Sequence, residues 1–147
     1  MKSVSSTRGK LTKLEIKSED RPIQITAFLK VTMLLQTFSE CLVKMFCGTG
    51  KSRVIKRVVI EQKKSLSVIV FPSLALIRQF TKDYLGDIDA KLYSLLNVSS
   101  ENLSSIQSTT DSAQIMHFLN NPKTKRQKKI ICVTNLIVIL VELLKDD

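Results

Sequence analysis

The chain has 147 residues, a hydrophobic content of 44%, four glycines, three prolines and a net charge of +10. This length fits one domain, and the apolar fraction excludes a disordered chain and a loop-rich secreted scaffold. The positive charge favours polyanionic partners, nucleic acid in particular, although solubility alone would also explain it.

The three cysteines, Cys41, Cys47 and Cys132, fit neither a disulfide framework nor a zinc site. They predict reduced thiols in the cytoplasm or nucleus. Residues 1–17 contain no apolar segment of a secretory signal. The apolar run from Ile130 to Leu144 is shorter than the roughly 20 residues that a membrane span requires. A buried strand followed by a helix explains this run better than a tail anchor, so no membrane partner is expected.

The N-terminal part of the chain begins with a Ser- and Lys-rich stretch that predicts a flexible basic tail at 1–19, ahead of a partial domain at 20–147. Pro22, near the first turn, opens a predicted helix that runs to about residue 39. The apolar run at 41–46 is interpreted as a strand, and a helix is predicted from Lys51 to about residue 62.

The rest of the chain alternates between strands and helices. In order, the predicted elements are a strand at 67–71, a helix at 74–85, a strand at 92–98, a loop at 99–110, a helix at 111–119, a basic loop at 120–129, a strand at 130–133 and a helix at 136–144. Such alternation predicts right-handed crossovers and a parallel sheet with helices on both faces.

A phosphate-binding loop is the clearest chemical motif. The string Gly48-Thr49-Gly50-Lys51-Ser52 follows an apolar run and precedes a predicted helix. Glycines at these positions allow the main-chain N–H groups to form an anion nest, Lys51 would reach the β- and γ-phosphates, and Ser52 would ligate Mg²⁺. Met45 stands where the longer form of the motif has glycine. The loop therefore predicts the binding of a nucleotide with Mg²⁺, and the family resemblance described next implies that this nucleotide is ATP.

Three motifs together carry a family resemblance. They are Arg21-Pro22-Ile23-Gln24, the loop from Phe46 to Ser52, and the segment from Val70 to Phe80. In this order they resemble the first RecA-like domain of a superfamily 2 helicase, of the kind found in type III restriction subunits and large-DNA-virus helicases. The resemblance spans about residues 20–140 and implies an incomplete RecA-like P-loop domain of the α/β class, with a mostly parallel sheet.

The resemblance also implies roles for individual residues. Gln24 would hydrogen-bond the adenine edge, framed by Arg21 and Pro22, while Gly48, Thr49, Gly50, Lys51 and Ser52 hold the phosphates and Ser52 the metal ion. Nucleic acid, most simply a single strand of DNA or RNA, would contact Pro72, Ser73, Leu74, Arg78 and Thr134. Arg78 would otherwise be a solvated helix charge, and Leu74 a core residue.

The chain departs from the helicase pattern at its C-terminal end. No Asp-Glu pair follows a strand, since Glu142 has no preceding Asp and the pair Asp146-Asp147 has no strand before it. We therefore expect a truncated, catalytically inactive module that binds ATP without hydrolysis or unwinding, with a second chain supplying the acidic motif and the second RecA-like domain. A basic nucleic-acid-binding fragment with a vestigial nucleotide site is the alternative. Another kind of P-loop enzyme is disfavoured, because the segment from Pro72 to Phe80 has no role there.

Overall fold

A computed structural model describes residues 20–102 and 105–134. The predicted tail at 1–19 and the predicted helix at 136–144 lie outside these residues. The chain divides into two compact units, Met1–Val54 and Ile55–Asp147. No helix of the described residues is long and apolar enough to cross a membrane.

The first unit is built around helix α1, Pro22–Thr37. Pro22 occupies the first helical turn, where the missing N–H has no cost, and the Gln24 side chain accepts a hydrogen bond from the Arg21 N–H as in a capping box. Phe28 and Val31 are buried. Helix α2, Lys51–Glu61, begins in this unit and ends in the second.

The predicted strand at 41–46 is wrong, because these residues have no regular secondary structure. Leu42 and Phe46 are 81% and 84% exposed. An apolar run becomes a strand only when a neighbouring strand takes up its main-chain hydrogen bonds, and the sequence carries no information on that partner.

The second unit contains a four-stranded sheet. Its strands are β1, Leu66–Val70, β2, Tyr93–Val98, β3, Ser108–Thr109, and β4, Lys128–Val133. All pairings are parallel and the spatial order is β1-β4-β2-β3. The predicted strands are confirmed within two residues at each end, whereas the two-residue β3 falls inside the stretch that was predicted as a loop.

Alternation along β4 divides the core into two layers. Ile130 and Cys132 face one layer, together with Val59 of α2 and residues of the helical segment 74–85. Ile131 and Val133 face the other layer, which includes Ile115. Helix α4, Ser112–Asn120, supplies Ile115 and begins at Asp111, whose carboxylate accepts the Ala113 N–H at 3.1 Å. The predicted sheet with helices on both faces is confirmed.

The predicted helix at 74–85 is interrupted. Helix α3 covers Leu74–Phe80, and one π-helical turn, Thr81–Leu85, completes the segment. The buried Thr81 hydroxyl donates to the Ile77 carbonyl at 2.9 Å and lies 3.1 Å from the Arg78 carbonyl. A hydroxyl that bonds back to the preceding turn loosens the regular ladder, which fits the change of helix type at this residue.

Candidate phosphate loop and nucleic-acid segment

The loop before α2 has the geometry of an anion nest. Gly48 and Gly50 have φ angles of 75° and 84°, in the left-handed region that favours glycine. Among the described residues, the N–H groups of Gly48, Gly50, Lys51 and Ser52 donate to no main-chain carbonyl. Because α2 begins at Lys51, the last of these groups belong to a helix N-terminus, which carries partial positive charge.

Gln24 supports this loop from α1. Its Nε2 donates to the Thr49 carbonyl at 2.8 Å, and its Oε1 accepts the Arg21 N–H at 3.2 Å. The Arg21 guanidinium reaches the Gly48 carbonyl at 3.4 Å. Gln24 is 6% exposed, and a Cβ atom on Gly50 would lie 2.1 Å from its Nε2. The two distant motifs therefore meet, and any side chain at position 50 would have to displace the Gln24 amide.

Lys51 lies folded over its own loop. Its Nζ donates to the carbonyls of Met45 and Phe46, at 3.1 and 3.2 Å. The Thr49 hydroxyl donates to the same Phe46 carbonyl at 2.6 Å. The Lys51 ammonium is exposed and its side chain is flexible. It can therefore exchange these two carbonyl oxygens for phosphate oxygens, since either kind of oxygen makes a charge-assisted hydrogen bond with it.

A metal ion at this loop would depend on few protein ligands. Ser52, which lies in the first turn of α2, is half-buried. The described residues contain no group of three His, Cys, Asp or Glu side chains that could hold a metal. This donor set suits Mg²⁺, which is usually held by one or two protein groups together with substrate phosphates and water.

The predicted nucleic-acid segment lies in the second unit. Ser73 caps α3, because its hydroxyl accepts the Leu76 N–H at 3.4 Å, and Pro72 beside it is exposed. Leu74 is partly buried and packs against the core, in agreement with its alternative interpretation as a core residue. Arg78 is exposed and lies 3.6 Å from Glu101 in an ion pair. Thr134 directly follows β4 and is half-buried.

Two lysines of the basic stretch at 123–129 have structural roles that the sequence did not reveal. Lys128 Nζ donates to the carbonyls of Ile60 and Gln62, both at 2.6 Å, where α2 ends. Lys129 Nζ donates to the Leu119 carbonyl near the end of α4. Cations bonded to the last carbonyls of a helix stabilise it. Lys128 is more than sixty residues from the end of α2, whereas Lys129 is ten residues from Leu119. Only the periodicity of β4 could have suggested which helix each lysine contacts.

The cysteines differ in chemistry. Cys132 lies in the sheet core, and burial raises the pKa of its thiol to about 12, which keeps it protonated and unreactive. Cys47 is exposed and Cys41 is partly buried. None of them belongs to a cluster of metal-binding side chains within the described residues.

Comparison with known proteins agrees with the motif analysis. The family model described as type III restriction enzyme, res subunit, matches residues 17–142. A nuclease-deletion mutant of the Type ISP restriction-modification enzyme LlaGI, solved in complex with a DNA substrate mimic, matches with a TM-score of 0.70 and 18% sequence identity. That match covers 86% of this chain and 14% of the other chain. A search of curated proteins found no match. The predicted RecA-like α/β fold is confirmed.

Proposed function

We propose that this chain, which belongs to the family of type III restriction enzyme res subunits, binds ATP with Mg²⁺ at residues 48–52 and nucleic acid at residues 72–78. The observation that carries the proposal is the contact between Gln24 and the loop. A buried side chain from α1 holds the Thr49 carbonyl at 2.8 Å, and this fixes a turn whose next three N–H groups are unpaired within the described chain.

ATP binding would use groups that already converge. The amides of the loop and the helix N-terminus attract phosphate, and Lys51 would exchange two carbonyl partners for phosphate oxygens. Ser52 would ligate the metal ion that neutralises phosphate charge. Gln24, together with Arg21, would recognise adenine. Its amide NH₂ has two donors and its oxygen two lone pairs, and the contacts with Thr49 and Arg21 use one of each, so one donor and one lone pair remain for the base.

Nucleic-acid binding would use the exposed Pro72 and Ser73, the Arg78 guanidinium and Thr134. Arg78 could exchange its exposed partner Glu101 for a phosphate, since exposed ion pairs contribute little. Leu74 would shape the segment from the core side. The restriction-modification enzyme named above was solved with a DNA mimic, which favours DNA as the nucleic acid, and the family resemblance favours one strand of it.

We infer further that residues 1–147 bind ATP without turning it over or unwinding duplexes. Phosphoryl transfer depends on a positioned metal ion, a positioned water and a cationic group at the transferred phosphate. The sequence supplies the phosphate loop, and it contains no Asp-Glu dipeptide. Arginine fingers alone contribute about 10³–10⁵ in rate. A second chain or domain would supply the acidic motif and these arginines.

Equilibrium binding of a fluorescent ATP analogue with Mg²⁺ tests the nucleotide site. Lys51→Ala should weaken binding at least about tenfold, because it removes a charge-assisted contact of about 1.5–3 kcal/mol. Lys44→Ala is the matched control, since this exposed lysine precedes the loop. Salt-dependent DNA binding without any ATP-analogue binding would favour the basic fragment with a vestigial site. Steady-state ATPase activity above the Lys51→Ala background would contradict the absence of turnover.

A further inference from the structure

Six exposed cations lie on loops at one edge of the sheet, and none of them belongs to the loop at 48–52 or to the segment at 72–78. In a parallel sheet all strands begin at the same edge, and the neighbours β1, β4 and β2 are each preceded by a basic loop. The cations on these three loops are Lys63, Lys64, Lys91, Lys123, Lys125 and Arg126. This set of side chains is here called the basic edge.

Hydrogen bonds hold the three loops together. Gln127 Nε2 donates to the carbonyls of Ala90 and Lys91, at 2.9 and 3.1 Å, which joins the loop before β4 to the loop before β2. The Lys129 N–H donates to the Ser65 carbonyl at 2.8 Å, which joins it to the loop before β1. Hydrogen bonds thus fix the loops that carry the cations, although Lys63 and Arg126 are 63 residues apart in sequence.

The charge at this edge has little internal compensation. Among the described residues, no salt bridge involves any of the six cations. Nearby acids are engaged elsewhere, since Asp87 pairs with Lys56 at 2.8 Å and Glu61 with Arg57 at 3.0 Å. Asp89 lies on the loop before β2, where its carboxylate accepts the Lys91 main-chain N–H at 2.8 Å and adds one negative charge. Positive charge therefore predominates at this edge.

We propose that the basic edge is a second nucleic-acid surface, which binds the phosphate backbone of duplex DNA without reading its sequence. Adjacent strands lie about 4.8 Å apart, so the three loops span about 10 Å. Over that length B-DNA carries about six charges, at one per 1.7 Å of axis, which matches the number of cations.

The composition of the edge favours nucleic acid over a membrane surface. Leu92, 58% exposed, is the one large apolar side chain exposed on these three loops. Surface binding to membranes requires an apolar face that enters the lipid as well as cations. Exposed aromatic rings, on which unpaired bases stack, are lacking on these described loops, and this favours backbone contact with a duplex.

The salt dependence of duplex binding tests the proposal. Binding of a labelled 20-base-pair duplex to the full chain would be measured by fluorescence anisotropy between 50 and 200 mM NaCl. The double variant Lys125→Gln/Arg126→Gln should reduce the slope of log K against log salt by about 1.8, which is about 0.9 per lost contact. The control Lys30→Gln/Lys44→Gln removes the same charge from exposed positions of the first unit and should change the slope by less than half as much.

A second variant and a second ligand complete the experiment. Lys63→Gln/Lys64→Gln removes two cations from a different loop and should reduce the slope by the same amount. The test therefore remains valid even where the first double variant does not fold. Equal slope changes in the basic-edge and control variants would overturn the proposal. The proposal would also be overturned if the full chain bound phosphatidylserine vesicles, the basic-edge variants abolished this binding, and the salt slope of duplex binding stayed unchanged in those variants. Because no basic-edge residue lies in the loop at 48–52 or the segment at 72–78, failure of ATP binding leaves this test intact.

Discussion

Substitution of the two loop glycines by alanine separates a backbone effect from a packing effect. Gly48 and Gly50 both have positive φ angles, 75° and 84°, so alanine at either position costs about 1–2 kcal/mol of backbone strain. A Cβ atom at position 48 meets nothing within 4 Å, whereas at position 50 it would lie 2.1 Å from Gln24 Nε2. Gly50→Ala must therefore also displace the buried amide from the Thr49 carbonyl.

The displaced hydrogen bond and its buried partners add about 1–2 kcal/mol, so Gly50→Ala should destabilise by about 2–4 kcal/mol and Gly48→Ala by about 1–2 kcal/mol. Urea unfolding followed by far-UV circular dichroism measures both, since the chain has no Trp for fluorescence. In a Gln24→Ala background the excess cost of Gly50→Ala should vanish. An excess that persists there, or equal costs for the two glycines, would refute the proposed contact.

Three further substitutions test contacts of the second unit. Lys128→Met should destabilise by about 1–3 kcal/mol, because two carbonyls lose a charged donor, while Lys125→Met should stay within about 0.5 kcal/mol in the same urea titration. Ser73→Ala should cost about 1 kcal/mol by removing the cap of α3, and an unchanged melting temperature would contradict that cap. Burial raises the thiol pKa of Cys132 from 9.0 to about 12, so the folded state keeps the proton at pH values where the unfolded state loses it. The contribution of this thiol to the free energy of unfolding is therefore complete below pH 9 and is lost as pH rises toward 12. Between pH 7 and 10 the wild type should lose about 1.4 kcal/mol relative to Cys132→Val, and parallel pH profiles would contradict the buried thiol.

Elements with strong local signals were predictable from the sequence. The continuous apolar runs around Val68 and Ile131 became buried parallel strands, as expected for strands covered on both faces. Asp111 marked the start of α4, and the glycines before Lys51 marked the start of α2. Each of these signals depends on residues within one turn or one strand, so no knowledge of distant partners was needed.

Elements that depend on distant partners were not predictable. The run at 41–46 has a strand composition, yet the described residues give it no strand. Strand β3 consists of two residues whose pairing with Asn97 and Val98 defines it. The Asn97 side chain is buried at 1% exposure, and among the described residues neither its Nδ2 nor its Oδ1 has a hydrogen-bond partner. Periodicity indicates the strand β2 but does not predict that the polar side chain of Asn97 is buried in it.

In the basic stretch at 123–129, the two-residue period of strand β4 distinguishes the lysines that bond the protein itself from the cations that remain exposed. Successive residues of a strand point to opposite faces, so Lys128 and Lys129 enter different layers of the core. Helix α2 covers the layer that Lys128 enters and α4 covers the other, and each lysine bonds the final carbonyls of the helix on its own side. Lys125 and Arg126 precede the strand and have no such constraint. The charges available to a polyanion are therefore those before the strand, while the two inside it act as helix caps.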